Sequence, residues 1–471
     1  MSKLRIVPCS LTMWEQDIRN LCKKLKPLLG KRADGLWTAY ITAETPRSKQ
    51  EAEALIQLLA AQYLSANVAV EPILLPPPSA EAAAGEFLLG TLQYGRAKLS
   101  PLYLRRENFI KHIGIFAITG GGKTNVAQLL LLGLLNKGIP WLVVDWKRSY
   151  HALRSLPLEK AKNIVIYSVG RKGREAFHWN PLRGPPGVHP KTWISAVAEA
   201  LEKSHLSGPG VADVLIETLD KKFDDFGFYD AVPEQYPNFF DAVEELERVQ
   251  FKGRRMLWQD SCLRILRTFT FGPAAGAFNA RHPLKLEELL DRPVVIELDQ
   301  ELPKPLRVFL SDILLRWIHL CRLGQGESDN LRHVTLLEEA HNLFPRSQAE
   351  HQATNSLENV FREIRSFGEG LVTLTQHPSL IPVYILGNCN TQIYLGLQHE
   401  DDIQTASRAL FLERADEAFL DRLRVGEGIV KIKGRTGPCL VTFPLVPLKR
   451  NQGIGETSND GGEGNGKAGL D

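Results

Sequence analysis

The run Ile113-Gly114-Ile115-Phe116-Ala117-Ile118-Thr119-Gly120-Gly121-Gly122-Lys123-Thr124-Asn125 decides how the rest of the chain is read. Its first six residues are almost wholly apolar, the pattern of a strand buried on both faces of a parallel sheet. Three glycines follow, then Lys123 and Thr124, and the apolar stretch 126–135 reads as a helix leaving the turn. Strand, glycine turn and helix make a P-loop, with alanine at 117 where the first glycine usually stands. Glycines let the backbone approach an anion closely, and the first N–H groups of the helix converge on it. We therefore expect Thr119, Gly120, Gly121, Gly122, Lys123, Thr124 and Asn125 to line an ATP site. Lys123 would reach the β- and γ-phosphates, and Thr124 would hold Mg2+.

Outward from this loop, residues 141–144 form a second apolar strand that closes on Asp145, completing a βαβ unit. Further strand signals stand at 294–296, 334–337, 371–374 and 392–397. Between them, residues 186–290 read as a helical insertion, with helical periods at 193–203 and 210–223 and an aromatic-rich stretch at 239–249. The leading region, 1–80, mixes a basic stretch, a strand-like Leu36-Trp37-Thr38-Ala39-Tyr40-Ile41 and an amphipathic helix over 48–64, and ends at Pro76-Pro77-Pro78. The expected fold class is thus α/β: a mostly parallel sheet with a helical insertion and a small α+β N-terminal region. Its core is divided into 81–185 and 291–449, and 450–471 is a polar tail expected to be disordered.

Composition narrows the function classes. Fifty-seven Lys+Arg against 54 Asp+Glu leave a net charge of +3, so any nucleic-acid or lipid partner must be held by a local patch. The six cysteines lie far apart with no C-x-x-C spacing, which argues against a disulfide framework or zinc site and fits a reducing cytoplasm. The longest apolar stretch falls short of the roughly 20 residues a bilayer needs, and no secretory signal peptide is expected.

Two more segments carry chemistry. The strand 334–337 ends in Glu338-Glu339, a Walker B pattern in which Glu338 would serve the metal and Glu339 the attacking water. The strand 371–374 ends in Thr375-Gln376-His377-Pro378, where the Gln376 amide could sense the γ-phosphate. Asp145 reads equally well as a further Mg2+ contact or as a turn aspartate.

Taken with Lys111-His112, Val143-Val144-Asp145, Glu338-Glu339-Ala340-His341 and Asn388-Cys389-Asn390-Thr391, these motifs resemble the HerA branch of the HerA/FtsK superfamily over roughly residues 86–445. The resemblance implies a RecA-like P-loop ATPase core, a homohexameric ring around double-stranded DNA, and ATP hydrolysis at subunit interfaces. It implies Glu339 as catalytic glutamate, Gln376 as sensor, and Arg362 or Arg365 as an arginine near the phosphates. Lys111 stands where the family tends to place an arginine that reaches the neighbour's ATP, with Arg365 or Arg408 as alternatives. Lys147, Arg148 and Arg346 are the candidate DNA contacts. Relatives work with a nuclease or an NAD-degrading effector, in DNA end processing or antiviral defence, and residues 1–80 would be the dock for such a partner or a reduced barrel. A secretion or conjugation ATPase and an ATP-dependent ring scaffold are the other readings.

Overall fold

The apolar run before the P-loop lies in the middle of an eleven-stranded sheet in the computed structural model, which describes residues 13–64, 73–170, 175–230, 235–346 and 356–448. The strands are β1 Phe87–Tyr94, β2 Ala97–Leu104, β3 Ile113–Phe116, β4 Trp141–Asp145, β5 Val165–Val169, β6 Val294–Leu298, β7 Ser328–Leu337, β8 Phe367–Thr375, β9 Thr391–Tyr394, β10 Glu427–Ile432 and β11 Thr436–Thr442. Their order across the sheet is β2-β1-β11-β10-β9-β3-β8-β7-β4-β6-β5. From β9 to β5 all neighbours run parallel, whereas β10, β11, β1 and β2 extend the sheet with antiparallel pairs.

Every residue of β3, β4 and β6 is buried, which explains their unbroken apolar sequence. The pleat sends alternate residues into two cores. Val143 joins a layer with Leu130, Leu131 and Leu134 of the P-loop helix Lys123–Asn136. Leu142 and Val144 join the opposite layer, with Phe309 and Ile313 of the long helix Lys304–Gly324. The segment between β5 and β6 is helical, from Pro190–His205 to Leu286–Leu289. Its Phe239, Phe269 and Phe278 cluster with Phe309, the Phe269 and Phe309 rings standing 4.9 Å apart edge to face, so it packs directly on the sheet-covering helix.

The leading region departs from expectation. Residues 36–41 lie in the helix Lys31–Ile41 and form no strand, with the helices Met13–Leu29 and Pro46–Tyr63 on either side. A six-residue apolar run does not distinguish strand from helix by periodicity. Here Ala33 and Tyr40 turn inward, and Tyr40 joins a small core of Ile18, Cys22, Leu25, Ile56, Ala60 and Leu64. Trp37 and Tyr40, one helical turn apart, stack at 5.8 Å. Thr45 and Ser48 form a capping box and Pro46 opens the third helix, so its start is fixed locally. This unit is tied to the sheet through Tyr94 at the end of β1, whose hydroxyl donates to the Lys24 carbonyl at 2.8 Å. The tail 450–471 lies outside the described residues. No described helix is long and apolar enough to cross a membrane.

Candidate nucleotide site

The carboxyl ends of β3, β8, β7 and β4 stand side by side, and each delivers one part of the site. After β3 the loop turns through Gly120 (φ 77°) and Gly122 (φ 100°), conformations that favour glycine, and the helix begins at Lys123. A Cβ on Gly121 would come within 3.0 Å of the Ala117 methyl and 3.2 Å of the Ile118 carbonyl oxygen, so the loop closes tightly on itself. The Lys123 ammonium donates to the Ala117 carbonyl and, at 2.9 Å, to that of Ile118. Burial, reinforced by the nearby Lys147, lowers Lys123 to about 8. Thr124 is half-buried in the first helical turn.

A continuous chain of contacts joins the loop to the other strand ends. The Thr119 hydroxyl donates to Gln376 Oε1 at 2.8 Å, and Gln376 Nε2 donates to Glu339 Oε1 at 2.9 Å. The same Glu339 oxygen receives the Lys147 ammonium at 2.5 Å, while Oε2 faces His341 Nδ1 at 3.5 Å. Glu339 has φ 48° and ψ 44°, a left-handed conformation that a non-glycine residue adopts only when its surroundings impose it. Burial alone would push the Glu339 carboxyl up, but hydrogen bonds from Lys147 and Gln376 and the Lys147 charge hold it below the usual carboxylate range.

Glu338 is placed quite differently. Its side chain is buried, Oε2 accepts from the Trp146 N–H at 3.1 Å, and Oε1 accepts from the Tyr150 hydroxyl at 3.2 Å. Burial first, and Asp145 beside it, push its carboxyl well above the ordinary range. Asp145 is fully buried and accepts from the backbone N–H of Lys147 (2.9 Å) and Tyr150 (3.2 Å). Asp145 thus shapes the turn after β4 and also stands beside Glu338. Thr124, Asp145 and Glu338 offer hard oxygen donors, the chemistry Mg2+ prefers.

Several expected site residues are placed elsewhere. The Asn125 amide donates to the Pro444 carbonyl at 2.9 Å and accepts from the Val446 N–H at 2.9 Å, so its side chain holds the segment after β11. Lys111 precedes β3, and Arg362 and Arg365 precede β8. All three therefore stand at the amino edge of the sheet, away from this chain's own P-loop. Lys111 pairs there with Glu107 at 3.6 Å, and Arg362 donates to Asn359. The DNA candidates are also engaged. Lys147 is on Glu339, Arg148 reaches the buried Glu297 at 3.2 Å, and Arg346 donates to the Ser379 carbonyl at 3.4 Å.

Sequence reasoning gives the turn 146–150 to DNA and misses that the Tyr150 backbone N–H and hydroxyl serve both buried carboxylates and that Lys147 pairs with Glu339. Both depend on β4 lying next to β7, a long-range fact. The signal within reach was the run Asp145-Trp146-Lys147-Arg148-Ser149-Tyr150 itself, a charged turn at the end of a wholly apolar strand.

Residues 87–231 match the family profile described as the central domain of helicase HerA. The DNA double-strand break repair helicase HerA of Pyrococcus furiosus is 30% identical over 389 residues, which cover 75% of this chain and 68% of that protein. The chain belongs to the HerA helicase family. It is accordingly an ATP-hydrolysing P-loop enzyme, and its fold recurs well outside the HerA proteins. VirB4 of Thermoanaerobacter pseudethanolicus superposes with a TM-score of 0.60 at 16% identity, covering 77% of this chain and 97% of VirB4. The plasmid coupling protein TrwB, in complex with ADP and Mg2+, superposes with a TM-score of 0.55 at 13% identity, covering 74% of this chain and 89% of TrwB.

Proposed function

We propose that this HerA family member is an ATP-driven motor that moves along double-stranded DNA as a homohexameric ring. The observation that carries the reading is the chain of contacts from Thr119 through Gln376 to Glu339, which ties the phosphate loop to a carboxylate able to take a proton from water. Gly120 to Thr124 bind the triphosphate, and the Lys123 ammonium leaves the loop carbonyls for the β- and γ-phosphate oxygens. Glu339 accepts the proton of the water that attacks the γ-phosphorus, the bond to the β–γ bridging oxygen breaks, and ADP and phosphate result. Gln376, bonded to both Thr119 and Glu339, holds that carboxylate in register with the γ-phosphate. Mg2+ would be held by Thr124 with Asp145 and Glu338, and when bound it offsets the charge that develops on the phosphates. Glu338, pushed up by burial and by Asp145 beside it, must release its proton to serve it, so metal affinity rises with pH.

Lys111, Arg362 and Arg365 cannot serve their own chain's phosphates from the amino edge, but they suit a site on an adjoining subunit, which is the geometric case for a ring. The break-repair helicase among its relatives supports DNA as the track. The region 1–80 is proposed as the dock for a nuclease or NAD-degrading partner, in end processing or antiviral defence, and the compartment as the cytoplasm.

The test is the steady-state ATPase rate of the purified protein with and without linear duplex DNA, with Glu339→Gln as the blank. Stimulation by DNA, abolished in Glu339→Gln while ATP stays bound, is the expected result. A DNA-indifferent rate would overturn the motor in favour of a ring scaffold.

A further inference from the structure

Val425 and Leu445 are 80% and 83% exposed, unusual for large aliphatic side chains on so well-anchored a backbone. Single exposed apolar residues are ordinary on any surface. These two, however, sit on loops bonded to each other and to the P-loop. The Phe443 N–H donates to the Gly426 carbonyl at 2.8 Å, joining the segment after β11 to the turn before β10. Asn125, in the first turn of the P-loop helix, grips the backbone on both sides of Leu445 through Pro444 and Val446. A Cβ on Gly122 would stand 3.4 Å from the Leu395 side chain and 3.9 Å from the Gly426 nitrogen, so the turn carrying Val425 abuts the loop itself.

The sheet order then sets a direction. Glu339 and Gln376, which take the γ-phosphate end, stand on the β8 and β7 side of β3. A nucleotide lying with its last phosphate toward them must trail its ribose and base the opposite way, toward β9, β10 and β11. Val425 and Leu445 lie there, at the same edge of the sheet. We propose that these two side chains are the seat of the nucleotide base, closing on the faces of a purine ring. This assignment rests on the nucleotide site proposed above and extends it to the base. Two of the side-chain polar groups beside these residues are engaged: both ends of the Asn125 amide hold backbone, and one oxygen of the Glu427 carboxylate accepts from the Arg424 N–H at 3.3 Å. Two aliphatic side chains contact the flat of the ring and not its edge, so they favour ATP and GTP alike.

Titration calorimetry of the full chain with ATP, GTP and tripolyphosphate tests this, because tripolyphosphate has the phosphates without a base. In a Val425→Ala/Leu445→Ala double variant, ATP affinity falls about tenfold, the size of losing one or two buried methylene contacts, while tripolyphosphate affinity is unchanged. Leu445→Met, which keeps the apolar surface, retains ATP affinity. Unchanged ATP affinity in the double variant overturns the proposal. So does an equal loss for both ligands, which would mean a disturbed P-loop. So does a changed assembly size with ATP affinity intact, which assigns the two side chains to a subunit contact. If the unaltered chain bound no tripolyphosphate at all, the phosphate site would fail, and the base seat with it.

Discussion

Replacing Lys147 by methionine isolates the contact that governs the proposed base. The ammonium lies 2.5 Å from Glu339 Oε1 and supplies one of the two hydrogen bonds to that oxygen, the other coming from Gln376 at 2.9 Å. A charge-assisted bond of this kind is worth about 1.5–3 kcal/mol when shielded. The Lys147 side chain, however, is 43% exposed, so screening reduces its effect on the carboxylate to about 1 kcal/mol. Methionine keeps the length and apolar stem while removing the charge. Because Lys147 favours the ionised form, its loss raises the proton affinity of Glu339, and a general base must be unprotonated to act. The acid limb of the kcat/KM profile for ATP hydrolysis therefore moves to higher pH in Lys147→Met and stays in place in Lys147→Arg. The assay is the ATPase rate across pH at subsaturating ATP, with circular dichroism confirming the fold. An acid limb shared by Lys147→Met and the unaltered protein would refute either the contact or the role of Glu339 as base.

Two further outcomes follow from the same structure. Lys123→Ala removes the point charge from the phosphate loop, and ATP affinity measured calorimetrically should fall by about ten- to a hundredfold, the range of a lost charge-assisted bond; retained affinity would show that the loop does not bind phosphate. His112 is fully buried, with Nδ1 accepting from the Leu371 N–H at 3.1 Å and Nε2 facing the Phe361 carbonyl at 2.9 Å, which fixes the neutral ring. Burial lowers it from 6.5 to about 4, so its contribution is complete above the unfolded value and is lost as pH falls from 6.5 through about 4. That loss amounts to about 3 kcal/mol. His112→Asn, compatible with the φ of 62° there, should lose less urea resistance than the unaltered protein between about pH 7.5 and about pH 4; equal losses would refute the assignment.

What could be read in the sequence obeyed local rules. An unbroken apolar run before Gly120-Gly121-Gly122 specifies a buried strand and a phosphate loop, and carboxylates immediately after Leu337 specify a polar strand tip, without knowledge of any neighbour. What escaped required the neighbour. Lys147 reads as a DNA contact because nothing in its own segment shows that Glu339 stands beside it. The 21-residue helix Lys304–Gly324 was overlooked because it is buried on most sides, its Asp312 and Arg316 paired with each other and with Lys203 and Glu199 from the insertion, so charged residues interrupt the expected apolar stripe. Residues 36–41 went wrong for the converse reason: packing against two other helices, absent from any window of sequence, decided between two structures that the run itself allowed.

The end of β1 at Tyr94 has a mechanical consequence. From β3 the hydrogen-bonded ladder runs without a break through β9, β10 and β11 to β1, and Tyr94 fastens the leading helices to its far side. A load on those helices directed along the strands is shared in shear by rows of backbone hydrogen bonds, which resist more together than when peeled one at a time. The leading helices and the phosphate loop are thus joined through one continuous hydrogen-bonded sheet.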